Sequence, residues 1–432
     1  MYFQPEIETI DRASLKKLQF SRLQESLNRC YHNVPLYRQR FDEAGLKPDD
    51  IRSLEDIVKL PVTTKADFRD NYPFGLFAVD RKEVVRYHGS SGTTGKPTVV
   101  GYTRNDLNMW SDLVARLCMS AGARPGDTAQ ISFNYGLFTG ALGLHMGLER
   151  LGCGVIPLSG GNTEKQLMVM RDFGVNILIA TPSYAAYLGE LVQERGLRDQ
   201  LQLRLGILGA EGSTESMMRK IEQSLGIIAT DNYGMSELIG PGVSGECEFR
   251  NGQHIAEDHF LVEILDPETL EPVPEGEYGE IVVTSLTKEC CPIIRYRTRD
   301  ISRIITDPCP CGRTMHRLER LRGRSDDMLI IKGVNVFPSQ VEGVLLATEN
   351  VGTNYLLIVR NSGYMDTLEV QVELQDASLL DSFSRLENLT STIREKLRSV
   401  LGLSAKVTLV SPGTLERSAG KAKRVLDLRN KG

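Results

Sequence analysis

The chain has 432 residues, more than one hydrophobic core comfortably serves, so two or more domains are expected. With 41% hydrophobic and 25% charged residues and a formal charge of −5, it has the balance of an ordinary globular protein and no basic footprint for nucleic acid. No apolar run approaches the roughly 20 residues that span a bilayer, and the polar stretch Met1–Lys17 lacks a secretory apolar core; a cytoplasmic protein without membrane partners is expected.

In chain order, residues 1 to about 60 form a helical module, with Leu15, Leu18, Leu23 and Leu27 near helical spacing. The stretch Ser90-Ser91-Gly92-Thr93-Thr94-Gly95-Lys96-Pro97-Thr98 follows. Small residues let a backbone bend closely around an anion, hydroxyls and N–H groups donate to phosphate oxygens, and Lys96 adds a point charge. A Walker A loop would need Gly where Ser90 stands and Ser or Thr where Pro97 stands, so that reading fails. The strand Val99–Tyr102 makes the setting strand–loop–strand.

From Asp106 to about Ala210, strands at Thr128–Phe133, Gly154–Leu158, Asn176–Ala180 and Leu205–Gly209 alternate with helices at Thr139–Leu151, Asn162–Phe173 and Pro182–Glu194. This rhythm predicts a mostly parallel sheet covered by helices, with ligands bound beyond the carboxyl ends of its strands. Asn134, Tyr135, Gly136, Leu137, Phe138, Gly161, Ala210 and Glu211 lie there. After Asp258 the pattern shifts to short strands, Phe260–Leu265 and Gly279–Thr284, predicting a β-subdomain. Beyond Arg322 a compact α+β unit is expected, with strands at Asn354–Val359, Leu368–Glu373 and Lys406–Val410 and a helix from Ser378 to Leu401. The fold class is therefore α/β. A large N-terminal domain (1–322) precedes a small C-terminal α+β domain (323–432).

Three further segments carry chemistry. Asp231-Asn232-Tyr233-Gly234-Met235-Ser236-Glu237 is expected just after the strand Gly226–Thr230; Tyr233 offers a flat face for a purine and Glu237 a hard carboxylate for Mg²⁺. In Arg295-Tyr296-Arg297-Thr298-Arg299-Asp300, Asp300 can accept from both ribose hydroxyls. Lys421 lies in Arg417-Ser418-Ala419-Gly420-Lys421, a basic segment near the C-terminus. Read alone, each is also consistent with a solvated turn, a salt-bridged strand end or an exposed tail.

Together and in this order, the four segments resemble the signatures of the adenylate-forming (acyl-CoA synthetase) superfamily. Tyr135-Gly136-Leu137-Phe138-Thr139-Gly140, Gly209-Ala210-Glu211-Gly212 and Lys332-Gly333-Val334-Asn335-Val336-Phe337-Pro338 narrow the resemblance to the phenylacetate–CoA ligase family. The resemblance implies activation of an aryl-acetic acid (phenylacetate or indoleacetate type) with ATP and Mg²⁺ to an acyl-adenylate, then transfer to coenzyme A. It implies that Ser90 to Lys96 and Gly209, Ala210 and Glu211 surround the nucleotide, that Asp231, Asn232, Gly234, Met235 and Ser236 join them, and that Tyr233 stacks on adenine. Glu237 would hold magnesium, Asp300 with Arg324 the ribose, and Lys421 the reacting phosphate and carboxylate. Tyr135, Gly136 and Phe138 would line the acid pocket. Asp326 would be the hinge of a mobile C-terminal domain and Gly333 would border the CoA channel. A homodimer is expected on the same ground. An adenylating enzyme with another acceptor, such as a carrier protein, is the alternative.

The eight cysteines do not make a disulfide scaffold. Cys309-Pro310-Cys311 is a tight knuckle, and Cys247 precedes His254 by seven positions; the set has the donor types of a structural tetrahedral zinc site, although the two pairs lie roughly 60 residues apart. Reduced free thiols or disulfides are the other readings, and His259 or His316 could replace His254. Cys290-Cys291 is expected in a buried strand.

Overall fold

The computed structural model describes residues 1–90, 98–325, 329–331, 334–362, 365–416 and 423–429. Ser91, Gly92, Thr93, Thr94, Gly95, Lys96, Asp326, Gly333 and Lys421 therefore lie outside the described residues.

The N-terminal module comprises helices α1 (Pro5–Glu8), α2 (Arg12–Asn33), α3 (Pro35–Glu43) and α4 (Lys65–Asp70). Asp11 caps α2 by accepting from the Ser14 N–H, and Leu15, Leu23 and Leu27 bury one stripe while Leu18 is only part-buried. Strands β1 (Arg86–Ser90) and β2 (Thr98–Tyr102) then pair antiparallel on either side of residues 91–97.

A nine-stranded sheet forms the centre. Its members are β3 (Thr128–Ile131), β4 (Gly154–Ile156), β5 (Ile177–Ala180), β6 (Leu205–Gly209), β7 (Ile228–Met235), β8 (Gly240–Glu246), β9 (Gln253–Ile255), β13 (Ile304–Ile305) and β14 (Arg317–Leu318), in the order β13-β14-β9-β8-β7-β6-β5-β3-β4. The strands read from residues 106–210, β3 to β6, pair parallel as expected, and β7 joins them parallel; β7 to β8 and onward through β9, β14 and β13 pair antiparallel, so the whole sheet is mixed. The cause is local: β7 turns straight back through residues 236–239 into β8, and a turn this short cannot make a parallel crossover.

Both faces of the parallel half are covered. Ile177, Ile179 and Ile207 face α5 (Arg104–Ala121) and α6 (Gly140–Leu151), while Leu178, Ala180 and Leu208 face α7 (Thr163–Asp172), α8 (Pro182–Glu194) and α9 (Glu215–Leu225). Helices α5 and α6 approach so closely that a Cβ at Gly147 would stand 2.3 Å from a Val114 methyl. A second sheet joins β10 (Phe260–Leu265), β11 (Gly279–Ser285), β12 (Tyr296–Ser302) and β15 (Gly323–Arg324), the expected β-subdomain. Cys290 and Cys291 are buried, but in the loop between β11 and β12 rather than in a strand.

The remainder has its own core of Leu345, Leu357, Val370 and Leu397. It contains the hairpin β16 (Leu329–Ile331) and β17 (Val334–Val336), α10 (Pro338–Leu346), the long hairpin β18 (Val351–Ser362) and β19 (Met365–Leu374), α11 (Phe383–Leu401), β20 (Lys406–Val410) and β21 (Val425–Asp427). The predicted helix 378–401 divides into a 3-10 turn, Ala377–Asp381, and α11. No described helix is long and apolar enough to cross a membrane.

Candidate active site

The predicted nucleotide residues converge where β6 and β7 end. The motif Asp231–Met235 runs within β7 rather than in a turn after it, and only Ser236 and Glu237 occupy the turn. Tyr233 is buried and its hydroxyl donates to Asp300 Oδ2 at 2.7 Å. Burial, then the Asp300 charge, pushes its phenol above the ordinary range. Asp300 pairs across the sheet with Arg324, whose Nη1 stands 3.5 Å from its Oδ1. One aromatic ring, one carboxylate and one guanidinium thus meet from β7, β12 and β15.

The returning strand itself requires Gly234: a Cβ there would lie 1.9 Å from the Gly240 carbonyl oxygen. Gly209 is constrained in the same manner, 2.7 Å from the Asn232 carbonyl. Asn232 Nδ2 donates to the Leu208 carbonyl at 2.6 Å, and Ser236 Oγ lies 3.1 Å from Thr139 Oγ1, so both side chains fix the frame. Ala210 sits exposed with φ of 70°, and Glu211 accepts from the Ser183 N–H at 2.7 Å.

Glu237 is 4% exposed and accepts from Ser90 Oγ at 3.3 Å, which places the described end of the Ser/Gly/Thr loop against the carboxylate. The buried Lys288, which sequence reading passed over in an apolar-flanked stretch, donates to the Glu237 carbonyl at 3.4 Å and lies 5.0 Å from the centre of the Tyr102 ring. Asp231 forms the floor. Its N–H donates to Glu246, its Oδ2 accepts from Gln253 Nε2 at 3.0 Å, and burial, then the Glu246 charge, raises its carboxyl to about 7.

The 135–138 loop leans on the β1–β2 hairpin, since Gly89 N–H donates to the Leu137 carbonyl at 2.9 Å. Tyr135 is half-buried, its hydroxyl 3.0 Å from His145 Nδ1, and His145 Nε2 lies 3.0 Å from Glu149. Gly136 and Phe138 are exposed.

A second cluster lies at the other end of β8 and β9. The donor atoms of Cys247, His254, Cys309 and Cys311 all lie within 4.8 Å of one another. Cys247 follows β8, His254 is central in β9, and the knuckle lies between β13 and β14, so strand pairing closes the sequence gap. His254 turns Nε2 to Cys311 Sγ at 3.3 Å and Nδ1 to the Met315 carbonyl at 3.3 Å, an arrangement that leaves Nε2 as the donor to a metal. Both cysteines are free thiols; a hydrogen bond from the Cys247 thiol, with one from His254, holds Cys311 far below its ordinary range, and the same Cys247–Cys311 contact raises Cys247. His316 and His259, the substitutes considered, pair instead with Glu257 and with Asp258 and Thr287.

The family model described as AMP-binding enzyme matches residues 77–287, and that of the AMP-binding enzyme C-terminal domain matches 333–429. The phenylacetate-coenzyme A ligase of Thermus thermophilus is 49% identical over 99% of this chain and 100% of its own length. The enzyme of that name from Escherichia coli is 49% identical over 98% of this chain and 97% of its own. This chain belongs to the phenylacetate–CoA ligase family. It has the fold of solved adenylate-forming enzymes. A 2-hydroxyisobutyryl-CoA ligase in the postadenylation state, with 2-HIB-AMP, superposes with a TM-score of 0.93 at 30% identity, covering 99% of this chain and 92% of that one. The same enzyme in the thioesterification state, with 2-HIB-AMP and CoA, gives 0.74 at 31% identity over 99% and 93% of the two chains. The two parts of this family member therefore stand relative to each other as in the former.

Proposed function

We propose that this protein joins an aryl-acetic acid of the phenylacetate type to coenzyme A through an acyl-adenylate, releasing pyrophosphate and AMP. The observation that supports it is end-to-end likeness to phenylacetate–CoA ligases, with Tyr233, Asp300, Arg324 and Glu237 converging at one site. A carboxylate is a poor electrophile; its attack on the α-phosphorus of ATP gives it a leaving group that the CoA thiol then displaces. The Tyr233 ring would stack on adenine over the Asp231 floor, and Asp300 would exchange its bond from Tyr233 for the ribose hydroxyls. Glu237 would hold Mg²⁺, which neutralises phosphate charge when bound. Lys96 and Lys421 would stabilise the charge that develops on the transferring phosphoryl group. No side-chain nucleophile is needed. Tyr135 would border the acid, its ring fixed through His145.

Cys247, His254, Cys309 and Cys311 would hold a structural Zn²⁺. Three sulfurs and one imidazole nitrogen fill a tetrahedron and leave no position for catalysis. A cytoplasmic homodimer is the assembly we propose.

The test is pyrophosphate release with Mg·ATP across phenylacetate, indoleacetate, benzoate and medium-chain fatty acids, with and without CoA. Release and thioester formation with the aryl-acetic acids are expected. Adenylate without thioester would transfer the acyl group to another acceptor, such as a carrier protein.

A further inference from the structure

The C-terminal part touches the rest of the chain at a carboxylate that no sequence motif marked. Glu342, on α10, is buried, and its Oε1 accepts from the backbone N–H of Thr214 at 3.3 Å. Thr214 is the N-cap of α9, so Glu342 sits at the positive end of that helix, four residues beyond Ala210 in the loop assigned to the nucleotide. Its other oxygen accepts from the Tyr355 hydroxyl at 3.0 Å. Above the Tyr355 ring, 4.4 Å from its centre, lies the Arg424 guanidinium, which also donates to Asn354 Oδ1 at 3.0 Å. Arg424 leads into β21, and its carbonyl accepts from the Leu357 N–H at 2.8 Å. Lys421 is three residues upstream.

We propose that Glu342 is a positioning residue for adenylation: it ties the 210–214 loop to β18 and to Arg424 at the start of β21, in this arrangement of the two parts only. The proposal rests on the ligase reading above. Two neighbouring contacts belong to the same seam: Thr353 Oγ1 donates to Glu190 at 2.7 Å, and Lys220 Nζ donates to the Val351 carbonyl at 3.1 Å. All three join α8, α9 or the α9 cap to α10 or the start of β18, so a rotation of the C-terminal part breaks them together. A bond present in one arrangement and absent from the other shifts the balance between them by its differential strength. Burial makes the bond consequential, because an acceptor left inside without its donor is costly.

Glu342→Ala and Glu342→Gln, in the full chain, separate the roles. A glutamine can still accept from Thr214 through its amide oxygen and meet Tyr355 with its NH₂. Pyrophosphate release should fall about tenfold or more in Glu342→Ala and return to within about threefold of wild type in Glu342→Gln. Thioester formation from supplied acyl-adenylate should stay within about twofold in both. Solution X-ray scattering of the full chain gives a readout independent of the acid. Glu342→Ala should leave the profile of this arrangement and Glu342→Gln should keep it. If Glu342→Ala does not fold, Thr353→Ala reads the same seam with the same expected direction. Equal losses in both half-reactions, or an unchanged scattering profile in the alanine variant, would overturn the proposal. A wild type silent toward every acid would sink the ligase reading instead, and the scattering comparison would still decide the role of Glu342.

Discussion

Two parts of the molecule are attached to the central sheet in opposite ways. The N-terminal segment is held by buried charge: Glu8 takes the Phe3 and Gln4 N–H groups and Arg313 Nε at 2.7 Å, with the carboxylate 1% and the guanidinium 5% exposed. Arg12 grips Glu257 with both terminal nitrogens, Arg22 stands 3.7 Å from Asp258, Arg116 donates to Gln4 Oε1 at 2.6 Å, and the Tyr2 hydroxyl donates to the Cys311 carbonyl. The C-terminal part meets the sheet's helices through the seam at Thr214, Lys220 and Glu190 and through Leu346, which joins the α8–α9 core. Breaking a buried ion pair strands a charge and costs about 3–5 kcal/mol, whereas one hydrogen bond with a charged partner, the kind each seam bond makes, contributes about 1.5–3 kcal/mol. The first attachment suits permanence and the second suits exchange between two arrangements.

Removing one side of the strongest tie probes the permanent end. Arg313→Met leaves Glu8 buried without its cation and should lower unfolding stability by about 3–5 kcal/mol in denaturant melts. Chelation of the Cys/His set should lower the Tm as well, with one equivalent of zinc released. If neither change lowers stability, the N-terminal corner is not the fixed element argued here.

At the exchanging end the expected effect is catalytic. Lys421→Ala should slow adenylation by about 10²–10³-fold with an unchanged Tm, while thioester formation from supplied acyl-adenylate continues. Equal loss in both half-reactions would remove Lys421 from that role.

Asp231, in the central sheet, adds a pH dependence. In the unfolded chain its carboxyl ionises near about 4, whereas in the folded protein it keeps its proton to about 7. Across that window the folded state binds more protons, so stability falls as pH rises and the loss is complete above about 7. Asp231→Asn should flatten this fall in Tm measured from pH 5 to 8; an unaltered slope would place the titrating group elsewhere. The smallest effect is reserved for Lys220→Met, which removes one bond of the seam. A two- to fivefold (about 0.5–1 kcal/mol) shift between the two half-reaction rates is expected, with no change in Tm.

The helices and strands around the parallel half of the sheet were legible because apolar runs alternated with amphipathic stretches; β6 and α8 have the bounds read from the chain. The stretch Asp231–Met235 was expected after a strand and lies within one. Asp231 and Asn232 look like turn residues, yet Gln253, Glu246 and the Leu208 carbonyl satisfy them inside a strand. Those partners come from other strands, so no local pattern announces them. The Cys/His set was found because its donor types are rare, although only the pairing of β14 with β9 explains how so wide a gap closes. Glu342 and Lys288 were missed for a related reason: a charged residue in an amphipathic context reads as solvated until tertiary neighbours bury it.

The Glu8–Arg313 pair has a consequence for the order in which the molecule is made. Its members are 305 positions apart. At roughly 5–20 residues per second, Glu8 leaves the ribosome about 15–60 s before its partner exists. For most of that interval the leucine stripe of α2 lacks its partners, because Glu257, Asp258 and Ser285, against which this module seats through Arg12, Arg22 and Ser26, are also yet to be synthesised. The first helices made are thus among the last to dock. A nascent chain halted before residue 313 should carry an N-terminus that proteases cut freely, and release of the full chain should protect it.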